Sequence, residues 1–334
     1  LSRRQRQMCI RDRAGAMACT GHGNRAVSSE AASGQATTAS SGLNTVDFNA
    51  DSAYRHIATQ VELGPRIPGT VPHAACVEYI AGRLRSYGAD TVMIQQSKVD
   101  SPSGGVIPVS NILARYNSGT GRRILLVAHY DTRPSADNDP NAANHSTPVP
   151  GANDGASGVG VLLELARLMG ERNPAVGVDL LFVDAEDSGN DGDENSWCLG
   201  TQEWLRGKPY KGMVQPAYAI LLDMVGGEGA VFRREIISDH FARSVNDRIW
   251  AVASASGYAD RFVNTSGGGV TDDHVFINRA GIPAVDIIDA AHPSTGSFPP
   301  TWHTVADDMT SISTATLKAA GQTVANVIYT EKAE

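Results

Sequence analysis

Cysteine is scarce: there are four in 334 residues, and only Cys76 and Cys198 lie beyond residue 44. That excludes a disulfide framework and leaves a single bridge open. Basic charge is short as well. A formal net charge of −8, with no basic stripe and no aromatic RNA motif, argues against nucleic acid as a partner. No uninterrupted apolar run approaches the roughly 20 residues of a membrane span, so no span is expected. Internal repeats are missing, and residues 46–332 contain no linker that would divide them. What remains, 41% hydrophobic and 19% charged residues, is the composition of an ordinary globular protein with a sizeable core.

The amino terminus reads differently from the rest. Residues 1–13 carry five arginines and one aspartate without hydrophobic periodicity, and resemble a translated sequencing adapter; this leader is expected to be non-native, and without it the chain is more acidic. Residues 14–44 are rich in Ser, Thr, Ala and Gly and are expected to form a flexible tether. Within it, Cys19 follows small residues, as at the acylation site of a bacterial lipoprotein, so a lipid anchor at Cys19 and an exported, periplasmic or membrane-anchored protein are one expectation. An incidental cysteine in a disordered leader is the other. The folded domain is then expected over 45–334.

Within that domain, spacing predicts helices over about 51–63, 73–87, 158–171, 242–256 and 314–332, and strands near 91–98 and 109–116 ahead of a strand from Arg123. The expected fold class is α/β: one globular domain with a central mixed, mostly parallel β-sheet flanked by helices, its antiparallel strands at the edge.

Acidic and histidine residues recur where buried strands run out. His129 and Asp131 follow Ile124–Ala128, Glu186-Asp187 follow Asp179–Val183, and Asp223 follows Ala219–Leu222; Asp154 sits in the turn Gly151-Ala-Asn-Asp-Gly-Ala-Ser-Gly158, and His303 comes late. Ligands of open α/β sheets gather at the carboxyl ends of strands. Nitrogen and oxygen donors converging there suit Zn²⁺ and leave a carboxylate free for proton transfer. Taken singly each signal is weak, since Asp154 also fits a helix cap and the others solvated strand ends.

Taken together these segments resemble the zinc aminopeptidases with co-catalytic metal sites, from about Asp51 to the end. Within that superfamily the chain is more similar to the glutaminyl-peptide cyclotransferases, or glutaminyl cyclases, including bacterial zinc-dependent forms. Three segments carry the closer likeness: Asp272-Asp273-His274-Val-Phe with Arg279–Pro283, Phe298-Pro-Pro-Thr-Trp302-His303-Thr304, and Gly64-Pro-Arg-Ile-Pro-Gly69. The resemblance implies one Zn²⁺ on Asp154, Asp187 and His303, with Glu186 as general acid/base, Asp223 and Asp272 in a carboxylate network, and Trp302 with Phe298 at the substrate pocket. His129 and Asp131 would support that site. It departs from the family pattern at Asp187, where glutamate is common; aspartate is one methylene shorter and still a competent ligand.

The implied reaction converts the amino-terminal glutamine of peptides to pyroglutamate with release of ammonia. A two-zinc aminopeptidase, with His129 and Asp223 on a second metal and Asp154 bridging, is the first alternative, and a non-catalytic peptide-binding homologue the second. A third carboxylate, Asp272, fits proton sharing in a one-metal site better, provided that it lies nearby. Residues 188–196 are expected to be a solvated acidic insertion, with Ca²⁺ on Asp191, Asp193 and Asn195 as the competing reading. His145, His274 and His292 are expected to be structural or surface groups.

Overall fold

A computed structural model describes residues 45–333. The leader, the tether and Cys19 lie outside the described residues. The central sheet has six strands: β1 (Thr91–Asp100), β2 (Val106–Tyr116), β3 (Arg123–His129), β4 (Gly177–Val183), β5 (Ala219–Leu222) and β8 (Ala284–Ile287). Their order is β1-β2-β4-β3-β5-β8, with β1, β2 and β4 paired antiparallel and β4, β3, β5 and β8 parallel. The expected mixed sheet with antiparallel edge strands is therefore present.

Why these runs form central strands follows from their two faces. Every residue of β3 and β4 is buried, as expected of parallel strands covered on both sides. Ile124, Leu126 and Ala128, with Leu180, Phe182, Ile220, Leu222 and Val285, enter the larger core. There they meet helices α1 (Ala50–Leu63), α2 (Val71–Ser86), α3 (Ala156–Glu171), α5 (Ile236–Ala255) and α7 (Thr314–Thr330). The alternate residues Leu125, Val127, Leu181, Val183 and Leu221 face Trp204 of α4 (Leu199–Arg206) and Ile277 of α6 (Asp273–Arg279). The period of two thus splits one apolar run between two cores.

The expected elements are observed, with shifts at their ends. Helix α5 begins six residues before the expected Ala242 because Glu235 caps it, accepting from the Ile237 and Ser238 amides; the backbone then breaks helical geometry at Ala242 (φ −134°, ψ 35°). Helices α4 and α6 are too short for periodicity to reveal, and the run of strand β8 is interrupted by the buried Asp286. A separate parallel pair, β6 (Phe232–Glu235) and β7 (Phe262–Gly268), was not expected either. Cys76 and Cys198 are both free and buried, which decides against the bridge left open by the sequence. No helix among the described residues is long and apolar enough to cross a membrane.

Candidate active site

At the carboxyl end of the parallel strands, four segments are drawn together by the backbone before any ligand is considered. The turn that carries Asp154 must press against the sheet, and its small residues make that geometrically feasible. A Cβ on Gly155 would lie 2.5 Å from the His129 ring, and one on Gly158 would lie 2.1 Å from the Leu222 carbonyl oxygen. Glycine is what lets α3 start against β3 and β5. Gly158→Ala is accordingly expected to cost about 1–3 kcal/mol of stability through overpacking. Urea unfolding checks this, and an unchanged midpoint would refute the close approach.

Arg66, fully buried, secures the same turn from the other side. Its guanidinium donates to the carbonyls of Tyr130, Pro150 and Gly151. Asp307 completes the clamp by accepting from the Asn153 amide at 2.8 Å and the Asp154 amide at 3.1 Å. Burial, with the nearby Asp154 charge, pushes the pKa of Asp307 up to about 7.

Asp131 does for the second segment what Asp307 does for the first. Its two oxygens accept from the amides of Glu186 (3.1 Å) and Asp187 (3.2 Å), while Oδ1 stands 3.5 Å from His129 Nδ1. It is thus chiefly a brace for the Glu186-Asp187 loop, and only secondarily the partner of the imidazole. Ala185 precedes this pair at φ 52°, and His303 itself has φ 55°. Such left-handed residues are uncommon outside glycine and cluster at functional sites.

These supports bring Asp154, Glu186, Asp187, Asp223, Asp272 and His303 to one cavity, with His129 against Asp154 and Asp223. Donor atoms of Asp154, Asp187 and His303 lie within 4.8 Å of one another, as do those of His129, Asp154 and Asp223. His303 Nε2 is 3.1 Å from Asp187 Oδ1 and 3.7 Å from Asp154 Oδ2; His129 Nε2 is 3.0 Å from Asp154 Oδ1 and 3.1 Å from Asp223 Oδ1. Asp154 belongs to both groups. Asp187 Oδ2 is buried without a hydrogen-bond partner, an arrangement that is costly unless a cation satisfies it. One imidazole and two carboxylates fit Zn²⁺ in donor type and charge.

Asp272 is nearby too. Its Oδ1 accepts from the Asp273 amide at the start of α6, Oδ2 has no partner, and its carboxylate joins Glu186 and Cys198 in a third group within 4.8 Å. Burial raises the Glu186 pKa well above its ordinary value, and the charges of Asp187 and Asp272 add to the rise. Asp272 is raised strongly by burial and by Asp223 and Asp273. Burial also opposes charge on His303, but Asp187 and Asp137 outweigh it and hold the imidazole at about 10.

The resulting cavity, about 250 Å³, is lined by Asp154, Glu186, Asp187, Asp223, Asp272 and His303 below and by Phe298, Trp302 and Trp197 at the side. The Trp302 and His303 rings stack at 3.9 Å, and Phe298 lies 4.3 Å from Trp302. Trp197 is held by Arg133, whose guanidinium sits 4.9 Å over its ring and also donates to the Asp187 carbonyl. In the acidic insertion, Asp191 reaches the cavity, whereas Asp193 accepts from the Asn195 amide inside its own turn. His274 is structural, with Nε2 3.0 Å from Glu235, and His145 and His292 contact backbone carbonyls.

Sequence reasoning missed Asp137, Asp307, Arg133 and Cys198. Asp137 stands 3.4 Å from His303 Nδ1 and pairs with Arg133. None of these lies at a strand end with a pattern to betray it, though the Gly64–Gly69 turn does contain the visible signal for Arg66.

Residues 111–328 match the model of peptidase family M28. A glutaminyl cyclase from Bacteroides thetaiotaomicron, solved with N-acetylhistamine, is 48% identical over 86% of this chain and 100% of its own, with a TM-score of 0.83. A protein from the same organism described as a leucine aminopeptidase precursor is 47% identical over 86% and 99%, with a TM-score of 0.82. A Bos taurus glutaminyl-peptide cyclotransferase-like protein is 26% identical over 72% of this chain and 66% of its own. The chain spans 31% and 66% of the length of two curated relatives that it matches.

Proposed function

Since the chain belongs to peptidase family M28, we propose that it is a zinc-dependent glutaminyl-peptide cyclotransferase, turning an amino-terminal glutamine into pyroglutamate with release of ammonia. The observation that carries this reading is the placement of Asp272. A third carboxylate beside Glu186, outside both donor groups that contain Asp154, has no evident task in activating water but suits a site that must hold and return one proton.

Asp154, Asp187 and His303 would hold a single Zn²⁺, which when bound supplies Lewis acidity to the γ-amide carbonyl. The substrate's own α-amine attacks the γ-carbon; a carbon–nitrogen bond forms there and the bond to the amide nitrogen breaks. Glu186 takes the proton that the amine loses and delivers it to the departing ammonia. Its raised pKa suits both transfers. Asp272 shares protons with it, and Asp223 holds His129 at the floor of the site. Phe298 and Trp302 wall the pocket and exclude water. Because the nucleophile is tethered in the substrate, the protein has mainly to hold a ring-closing conformation.

One observation favours a second reading. His129, Asp154 and Asp223 form a donor group as compact as the first, which is what a two-zinc aminopeptidase requires. Mass spectrometry of a Gln-Phe-Ala peptide incubated with zinc-loaded protein separates the two. The expected product is the peptide lighter by one ammonia, abolished by chelator. Free glutamine with Phe-Ala would establish the aminopeptidase instead.

A further inference from the structure

We propose that Cys198 is a positioning residue for Glu186, its thiol donating to Glu186 Oε1 and so leaving Oε2 to exchange protons with the substrate. This rests on the reading of Glu186 as the general acid/base.

Glu186 is fixed tightly at its backbone and loosely at its side chain. Its amide is held by Asp131 and its carbonyl accepts from the Cys198 amide at 3.1 Å. Beyond Cβ, however, the single hydrogen bond to its carboxyl group among the described residues comes from Cys198 Sγ, at 3.4 Å. A carboxyl that must both receive and return a proton needs one rotamer. No other hydrogen bond to the Glu186 carboxyl group is made among the described residues; Asp273 faces the same thiol as a competing acceptor, and Val275 and Phe276 close the rest of its surroundings.

The position of Cys198 is itself imposed. It stands at the start of α4 with φ 55° and ψ 37°, a left-handed geometry that non-glycine residues seldom adopt. There its amide meets the Glu186 carbonyl while its side chain turns back onto the same residue. Fully buried and surrounded by Asp273, Glu186 and Asp272, the thiol is held well above its ordinary pKa and stays a donor. Cys76, the other described cysteine, lies in the main apolar core, so burial alone does not place a thiol against a carboxylate.

Alanine and serine at position 198 separate hydrogen bonding from packing. Both are smaller than cysteine and neither is β-branched, so the left-handed backbone strains them similarly. Cys198→Ala is expected to lower kcat about tenfold, the worth of roughly one hydrogen bond, with KM and zinc content unchanged. Cys198→Ser is expected to stay within about threefold of wild type because the hydroxyl restores the donor. Equal kcat in the two variants, whether high or low, would overturn the proposal, since a packing group cares only about the volume lost. If either variant fails to fold, the infrared S–H stretch of Cys198 decides: it should shift in Glu186→Ala, which removes the acceptor, and an unmoved band refutes the contact. Glu186→Gln measured in parallel keeps the two ideas apart. Full activity there defeats the general acid/base reading, whereas an inactive Glu186→Gln beside equal Ala and Ser variants defeats the thiol alone.

Discussion

Glu186→Gln is expected to lower kcat by about 10²- to 10⁴-fold, the range that removal of a positioned proton-transfer group produces, while zinc remains bound. Glutamine preserves the size of the side chain and an oxygen for Cys198 to reach, but it has no proton site of suitable pKa. Asp154, Asp187 and His303 do not depend on that charge, so metal content by atomic absorption should equal the wild type. KM should change little, because the pocket walls and the metal donors are untouched. In wild type the acidic limb of the kcat profile should lie above the ordinary glutamate range, since burial and the charges of Asp187 and Asp272 raise Glu186. The group is needed deprotonated to accept the amine proton, so activity rises as pH rises through that pKa. That limb should vanish from the residual activity of the variant. A Glu186→Gln enzyme with most of its turnover would refute the proton-transfer assignment.

His303→Ala is expected to abolish both zinc retention and turnover. The imidazole is the one nitrogen donor of its group, and losing it leaves two carboxylates 3.7 Å or less from where it stood. Those acids would then face each other without a cation or an imidazolium between them, and would have to take up protons. The ring is also the surface on which Trp302 stacks, so its loss removes one side of the pocket as well as a ligand. Turnover should fall below detection after dialysis, and added zinc should restore it poorly or not at all. Normal zinc content in His303→Ala would mean that the metal sits instead with His129, Asp154 and Asp223, which is the arrangement of the aminopeptidase reading.

Much of this was legible because strand ends and ligands coincide in open α/β sheets. Each buried run announced itself by seven or fewer apolar residues, and His129, Glu186-Asp187 and Asp223 followed within a residue or a few of where the hydrophobic pattern stopped. Asp154 was readable from the density of small residues around it, and the reason is now physical: Gly155 and Gly158 leave no room for a Cβ. Asp131 lies beside His129 as expected from the sequence, but its bonds to the Glu186 and Asp187 amides were not foreseen, because a sequence shows that a carboxylate lies two residues from a histidine but not that two amides of a distant loop point at it. Asp137, Asp307 and Arg133 were invisible for the same reason. They act on backbone groups or on His303 from far along the chain, and no periodicity encodes such a partner. Strand β8 is as short as β5, but its apolar run is interrupted by the buried Asp286, so no uniform hydrophobic stretch marks it.

The clamp by which Asp307 holds the Asp154 amide spans 153 residues of chain. Contacts of that range are made only after a large loop has closed, and His303, the last of the proposed zinc donors, lies on the same late segment. During synthesis, therefore, the first two donors are out of the ribosome long before the third exists. On that assignment a truncation that ends before residue 303 should yield a folded sheet at best, never a zinc-loaded enzyme.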